Sequence, residues 1–190
     1  MIEWKETMIL YHGSFCAVPQ PLLEKCSPYK DFGLGFYLTT SKKQAEKFVP
    51  STVRKAVRLG LIHEETDFGF ISTYSFHKYS ILRIAEYKDA DADWLHCIAA
   101  HRKEGAFLSV RQELQAYDII AGKIANDQTN ATLTAYLAEL YGELGTKEAD
   151  DNCIRRLLPE RLENQICLRT EAALSALTFM GEEKIWLNMY

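Results

Sequence analysis

Two stretches decide how this chain is read. They are Leu10-Tyr11-His12-Gly13-Ser14 and Asp31-Phe32-Gly33-Leu34-Gly35-Phe36-Tyr37-Leu38-Thr39-Thr40, the second running on into Ser41-Lys42-Lys43-Gln44-Ala45-Glu46-Lys47-Phe48. Thr7 to Tyr11 is apolar enough for a buried strand, with His12 and Gly13 at its end. A strand end is where a rigid scaffold presents polar groups to a ligand. Gly13 permits close approach to the backbone, as do Gly33 and Gly35 in the second stretch. Phe36 to Thr39 has the composition of a short strand. The pair Gly33-x-Gly35 is not a dinucleotide fingerprint, because the third glycine is absent and the pair precedes a strand instead of opening a helix.

Outward from these stretches the pattern alternates between helix and strand. Thr40 or Ser41 is a good N-cap for a helix from Lys42 to Phe48. Pro50 predicts its end, and a second helix follows from Thr52 to about Leu59, stopped by Gly60. Lys42, Lys43, Lys47, Arg54, Lys55 and Arg58 make this the most basic region, either a solvated helix face or a landing site for a diphosphate or an acidic target. Upstream, Pro19, Pro21 and Pro28 predict irregular chain with a short helix near Pro21 to Lys25. Downstream, 70–76 and 79–87 are β-rich, with His77-Lys78 between them like a tight turn that lacks glycine. Asp91 to Lys103 reads as an amphipathic helix with Trp94, Leu95 and Ile98 on one face. Tyr117 to Gly122 reads as a central strand, followed by a helix from Asn130 to Tyr141 capped by Asp127 or Thr129. A helix from Lys147 to Leu158, a strand from Glu163 to Thr170, a short helix from Glu171 to Leu177 and a closing β segment complete the chain.

The 190 residues, 47% hydrophobic and 25% charged, suit one domain, 1–190, with a sizeable core. A formal net charge of -4 and a pI of about 5.8 exclude a generally basic, nucleic-acid-coating protein. Five cysteines, an odd number with no Cys-x-x-Cys pair, favour free thiols in a reducing compartment. No apolar signal core stands at the N-terminus and no run approaches the ~20 apolar residues of a membrane helix. The expectation is therefore a cytoplasmic protein without membrane partners. Cys97 and His101 lie one helical turn apart beside His96, yet no third or fourth ligand is near in sequence, so no metal is expected.

The two opening stretches resemble the ADP-ribosyltransferase superfamily, in its diphtheria-toxin and poly(ADP-ribose) polymerase-like branch. Tyr11-His12-Gly13-Ser14 matches the first-strand His-Gly-Ser, and Gly33-Leu34-Gly35-Phe36-Tyr37 matches the Gly-x-Gly-x-Tyr of the next. Ser41 opens a helix bearing Phe48, eleven residues after Tyr37, as the second aromatic is spaced in the polymerases. The resemblance implies an α+β (mixed α/β) fold with two small, mostly antiparallel sheets around an NAD cleft and flanking helices. It implies an NAD-binding set of Tyr11, His12, Gly13, Ser14, Gly35, Tyr37 and Phe48. In that set His12 holds an adenosine-ribose hydroxyl, Gly13 bonds the carboxamide, and Tyr37 and Phe48 sandwich the nicotinamide. A cationic ring between aromatic faces is physically favourable.

The third catalytic position of the superfamily lies on a late strand and is usually glutamate. Asn164-Gln165-Ile166 resembles the polymerase Asn-Glu, which gives a catalytic set of His12, Tyr37 and Gln165. An amide accepts a ribose hydroxyl's hydrogen bond but supplies no charge and no general base. That departure favours mono-transfer over polymer elongation. Glu163, two residues earlier, would point to the same face on a strand and could supply the missing carboxylate. Asp31 orients its loop, touches ribose, or is simply a turn residue beside glycine. Asn126 and Asp127 are candidates for substrate contact or for helix capping.

The likeness extends along nearly the whole chain to a bacterial family of uncharacterised proteins grouped with the ADP-ribosyltransferases and often found in toxin–antitoxin-like gene pairs. It rests on Tyr117-Asp118-Ile119-Ile120-x-Gly122, Ala125-Asn126-Asp127 and the Thr170-Glu171-Ala172-Ala173-Leu174 helix as well. It implies a mono-ADP-ribosyltransferase that cleaves NAD and modifies a macromolecular acceptor (protein, RNA or DNA), with a small antitoxin as partner. The alternatives are a module that binds NAD or ADP-ribose without turnover, and an NAD glycohydrolase with water as acceptor.

Overall fold

The computed structural model describes residues 2–124, 127–158 and 162–187. Among them the strands form two small open sheets and the fold is mixed α+β. The first sheet is built on β3 (Phe68–His77), where Ile71, Tyr74 and Phe76 are buried. Both of its edges are occupied by antiparallel partners, β1 (Thr7–Ser14) on one side and β7 (Leu177–Trp186) on the other. The second sheet has the order β2 (Phe36–Leu38), β6 (Asn164–Leu168), β5 (Ile119–Lys123), β4 (Ile84–Glu86). Its pairs are antiparallel except β4 with β5. Its two inner strands bury Ile119, Ile120, Ala121, Ile166, Cys167 and Leu168. Such unbroken apolar runs belong to strands covered on both faces.

The two sheets meet where β1 passes the end of β2. Tyr11 N–H donates to the Thr39 carbonyl at 2.8 Å and Thr39 N–H to the Tyr11 carbonyl at 3.0 Å. Around the sheets pack α1 (Lys42–Arg58), α2 (Ala92–Arg102), α3 (Leu108–Leu114), α4 (Asp127–Leu137), α5 (Lys147–Leu157) and α6 (Glu171–Leu174). Side-chain caps from Ser41, Asp91, Thr146 and Thr170 open α1, α2, α5 and α6.

Several expectations are corrected. Residues 70–76 and 79–87 do not form a hairpin: β3 and β4 lie in different sheets, because both edges of β3 are already taken. Pro50 does not split the first helix, since α1 runs unbroken to Arg58. Proline leaves the Glu46 carbonyl without its usual donor. Close by, Ser51 Oγ donates to the Phe48 carbonyl at 2.9 Å and Thr52 Oγ1 to the Val49 carbonyl at 2.8 Å. The helix is held by burying Ala45, Val49, Val53 and Ala56, one stripe at helical spacing, with Ile71 of β3 in the same cluster. Tertiary burial outweighs the local preference. Helix α3 has no counterpart in the sequence reading, α4 starts and ends earlier than expected, and α6 is shorter.

A polar cluster joins α2, α4 and α5. Asp150, buried, receives Tyr136 Oη at 2.5 Å and His96 Nε2 at 2.8 Å, and His96 stacks on Phe107 at 4.2 Å between centroids. Burial and the bond to Asp150 push the Tyr136 phenol pKa up, so the group stays a donor. Replacing Tyr136 with Phe removes that donor and leaves a buried carboxylate oxygen short of a partner. The expected loss is about 1–3 kcal/mol of stability by urea denaturation. A loss under about 0.5 kcal/mol, the range of ordinary surface substitutions, would sink this account of the cluster.

Candidate functional site

A cavity of about 640 Å³ opens at the seam between the sheets. Tyr11, His12 and Gly13 of β1, Tyr37 and Leu38 of β2, Phe48 and Lys55 of α1, Arg102 of α2 and Gln165 of β6 all line it. Asp31 and the exposed Lys30 line it from the loop before β2.

His12 is half-buried on β1, which continues past it to Ser14 instead of ending there. Its Nδ1 lies 2.8 Å from the Tyr37 carbonyl, which can only accept, so Nδ1 carries the proton. Burial lowers the ring's pKa, against the raising effect of that bond. The neutral ring then keeps a lone pair on Nε2, an acceptor suited to a hydroxyl. Phe36 supports the ring at 4.5 Å.

Gly13 serves packing as well as the site. A Cβ there would drive into the Ala45 carbonyl, so only glycine lets α1 sit this close to β1. Gly35 has a similar role against Cys167 and Leu168 and does not line the cavity; neither does Ser14, which is buried opposite Phe70.

The Tyr37 hydroxyl is occupied by backbone. It accepts from Phe32 N–H at 3.0 Å and donates to the Gly33 carbonyl at 2.8 Å, pinning the loop that carries Asp31. Burial, with Cys167 beside it, pushes its pKa up, so it remains a phenol. What Tyr37 offers the cavity is its ring. Phe48 adds a second aromatic from α1.

Gln165 is buried, and its Nε2 donates to Asp31 Oδ2 at 3.0 Å. Asp31 also receives Arg102, through Nε at 2.9 Å and through a second guanidinium nitrogen. Arg102 extends further to Asn130 Oδ1 at 2.9 Å. Burying a carboxylate is costly unless it is paired and hydrogen-bonded, and this network supplies both. Glu163 stands elsewhere: it precedes β6, meets Lys47 of α1 at 3.4 Å and does not line the cavity. Asn126 lies outside the described residues. Asp127 begins α4, and its side chain also lies outside them.

Sequence reasoning missed Arg102, Lys30 and Asn130 as lining residues. Arg102 stands in the last turn of α2, where a base is expected from the helix dipole alone. Nothing in the spacing of residues 31, 102 and 165 announces that they meet. Lys55 was visible only as one member of the basic region. Among the described residues that line it, Lys30, Lys55 and Arg102 set three cations against the one carboxylate of Asp31. The cavity therefore favours an anionic ligand, although the chain as a whole carries -4. Among the described residues, no group of three or more His, Cys, Asp or Glu side chains is placed to hold a metal ion, and no helix is long and apolar enough to cross a membrane. All five cysteines are free thiols.

The fold and site define an α+β protein with a polar, locally cationic cleft at the seam of two small sheets. A family model described as "Protein of unknown function (DUF3990)" matches residues 8–179, and the chain belongs to that family. A search of curated proteins finds no match.

Both His12 and His101 have pKa values lowered by burial. Unfolded, each titrates near about 6.5, so the unfolded chain binds more protons than the native one as pH falls through that value. Stability should then decline on the acid side, the urea midpoint dropping between about pH 7 and pH 5. Nitrogen-15 NMR should find His12 neutral with its proton on Nδ1 at about pH 6.5. A His12 resonance that titrates above that value would contradict the burial argument.

Proposed function

We propose that this protein is a mono-ADP-ribosyltransferase. It binds NAD in the cavity, breaks the nicotinamide–ribose bond and passes ADP-ribose to a nucleophile on a macromolecule. The observation that carries the reading is convergence: His12, Gly13, Tyr37, Phe48 and Gln165, separated along the chain and borne on four elements, line one cavity. The reaction divides into tasks these groups suit. The C1′–N bond breaks heterolytically, its electron pair going to the pyridinium nitrogen, and nicotinamide leaves neutral. C1′ takes up positive charge, the acceptor's oxygen or nitrogen bonds to it, and the acceptor's proton passes to solvent.

The rings of Tyr37 and Phe48 hold the cationic nicotinamide before it leaves. The free lone pair of neutral His12 accepts an adenosine-ribose hydroxyl. Gln165 accepts a hydroxyl of the nicotinamide ribose. The excess of cations at Lys30, Lys55 and Arg102 suits the diphosphate. The same reading places the enzyme in the bacterial cytoplasm, as the toxin of a pair held in check by a small antitoxin protein. A second reading, binding of NAD or ADP-ribose without turnover, is favoured by one observation: position 165 carries an amide where the superfamily usually carries a carboxylate.

The test is incubation with NAD labelled on the adenylate and a bacterial lysate, followed by separate protease and nuclease digestion. Label is expected in one of the two fractions, reduced roughly tenfold or more in His12→Ala, the loss of one hydrogen bond to substrate. Circular dichroism controls for the clasp that His12 also makes with Tyr37. Saturable NAD binding with no label and no nicotinamide released selects the second reading. No binding rejects both.

A further inference from the structure

We infer that Asp31, held by Arg102, is a positioning residue that sets which end of the Gln165 amide faces the cavity, so that residues 31 and 165 act as one unit. The inference rests on the NAD reading above and gives position 165 a definite polarity within it. An amide has a donor end and an acceptor end, and its rotamer alone does not choose between them. Here the choice is forced. The Arg102-paired carboxylate of Asp31 offers acceptor oxygens, and only the Nε2 end of Gln165 can meet them, which it does at 3.0 Å. Oε1 is then the end available to a ligand in the cavity that Gln165 lines. Gln165 and Asp31 are each about 5% exposed, so water does not readily substitute for either partner.

The pairing also accounts for an amide at this position. Glutamate at 165 would set a second carboxylate at hydrogen-bond distance from Asp31 Oδ2, with the one guanidinium, Arg102, on the far oxygen Oδ1. Like charges so close cannot both stay ionised without a large penalty. With Asp31 already in place, glutamine is the side chain that presents an acceptor to the cavity without that conflict. Asp31 acts through Gln165 and Arg102, not on the ribose itself.

A reciprocal exchange tests this. In Asp31→Asn, the new amide keeps its oxygen for Arg102 and turns its nitrogen toward Gln165, whose amide must flip and present a donor to the cavity. NAD turnover should fall roughly tenfold or more, the weight of one substrate hydrogen bond, measured at a temperature where circular dichroism shows the variant folded. In Asp31→Asn combined with Gln165→Glu, the amide introduced at position 31 donates to the new carboxylate, which presents an acceptor again. Turnover should recover to within about threefold of the wild type, a coupling that independent sites do not show. A double variant no better than the poorer single one, or an unaffected Asp31→Asn, overturns the inference while leaving the NAD reading intact. Wild-type protein that neither binds nor turns over NAD overturns the reading itself.

Should Asp31→Asn fail to fold, Gln165→Glu alone decides. A proton shared between residues 31 and 165 at low pH restores a donor–acceptor pair, so its turnover relative to wild type should be highest on the acid side and fall as pH rises. Among the described residues, the titratable groups that act on Asp31 or are acted on by it include Lys30, Tyr37, Cys97, His101 and Arg102, and all are common to both proteins. A Gln165→Glu profile parallel to wild type overturns the inference.

Discussion

The architecture turns on a short seam between β1 and the end of β2. The hydrogen bonds exchanged by Tyr11 and Thr39 are the backbone link between the two sheets, and His12 adds a third bond one residue further on, from its ring to the Tyr37 carbonyl. Each bond is worth only about 1 kcal/mol net, but leaving any of these groups unpaired in a buried place costs about 1–3 kcal/mol. The seam is therefore specified more by what its absence would cost than by what its presence adds. Its consequence is positional. Residues 11–13 and 37–39 all line the cavity, so the contact that joins the sheets also forms the cavity wall. His12 cannot be assigned to structure or to function alone. The bond that clasps β2 is the same one that fixes its tautomer and leaves Nε2 as an acceptor.

A second layer ties the seam to the helices. Thr39 Oγ1 donates to Gln44 Oε1 at 2.6 Å, and Gln44 Nε2 donates to the Asn164 carbonyl at 3.0 Å. One buried glutamine thus connects the end of β2, the first turn of α1 and the start of β6, the strand that carries Gln165. Gly13 lets α1 lie close enough for this, because a side chain there would meet the Ala45 carbonyl. Position 165, the α1 aromatic Phe48 and the β1 histidine are thereby held in relation to one another by buried polar contacts instead of by loop conformation. That is the arrangement a precise binding site requires.

The sequence was informative wherever local periodicity meets a local cap. The stripe of Trp94, Leu95 and Ile98 behind Asp91, the Ser41 cap before α1, the helix from Lys147, and the apolar inner strands β5 and β6 all read correctly within a few residues. It misled where tertiary burial decides. Pro50 is a strong local stop signal, yet the Ala45–Val49–Val53–Ala56 stripe packs against the first sheet and carries the helix through it. Residues 70–76 and 79–87 look like a hairpin because both are β-rich, but β3 had its edges filled by strands at the two ends of the chain, Thr7–Ser14 and Leu177–Trp186. In the site, the motif residues His12, Gly13, Tyr37 and Phe48 were legible because they sit in short contiguous patterns. Arg102 was not, since an arginine ending a helix is what the helix dipole asks for in any protein. Its pairing with Asp31, 71 residues away, is a fact of packing alone.

The loop from Asp31 to Gly35 shows why such long-range pairings matter to chemistry. It is fastened at Asp31, Phe32 and Gly33. Arg102 and Gln165 hold the Asp31 carboxylate, and the Tyr37 hydroxyl bonds both the Phe32 N–H and the Gly33 carbonyl. His101 packs beneath Gly33, where a side chain would collide with its ring. The conformational entropy of this loop is therefore given up on folding and not again on binding, which is how preorganised sites keep affinity and orientation together. It also limits what Tyr37 can do. Its hydroxyl is bonded on both its donor and acceptor sides and its pKa is driven up by burial, so it has no proton chemistry to offer a ligand. The ring face remains, and a ring face held by its own hydroxyl is a rigid platform. An acceptor for a ligand is offered instead by His12, whose Nδ1 is committed to the Tyr37 carbonyl and whose Nε2 is left as the acceptor, and by Gln165, whose Nε2 is committed to Asp31.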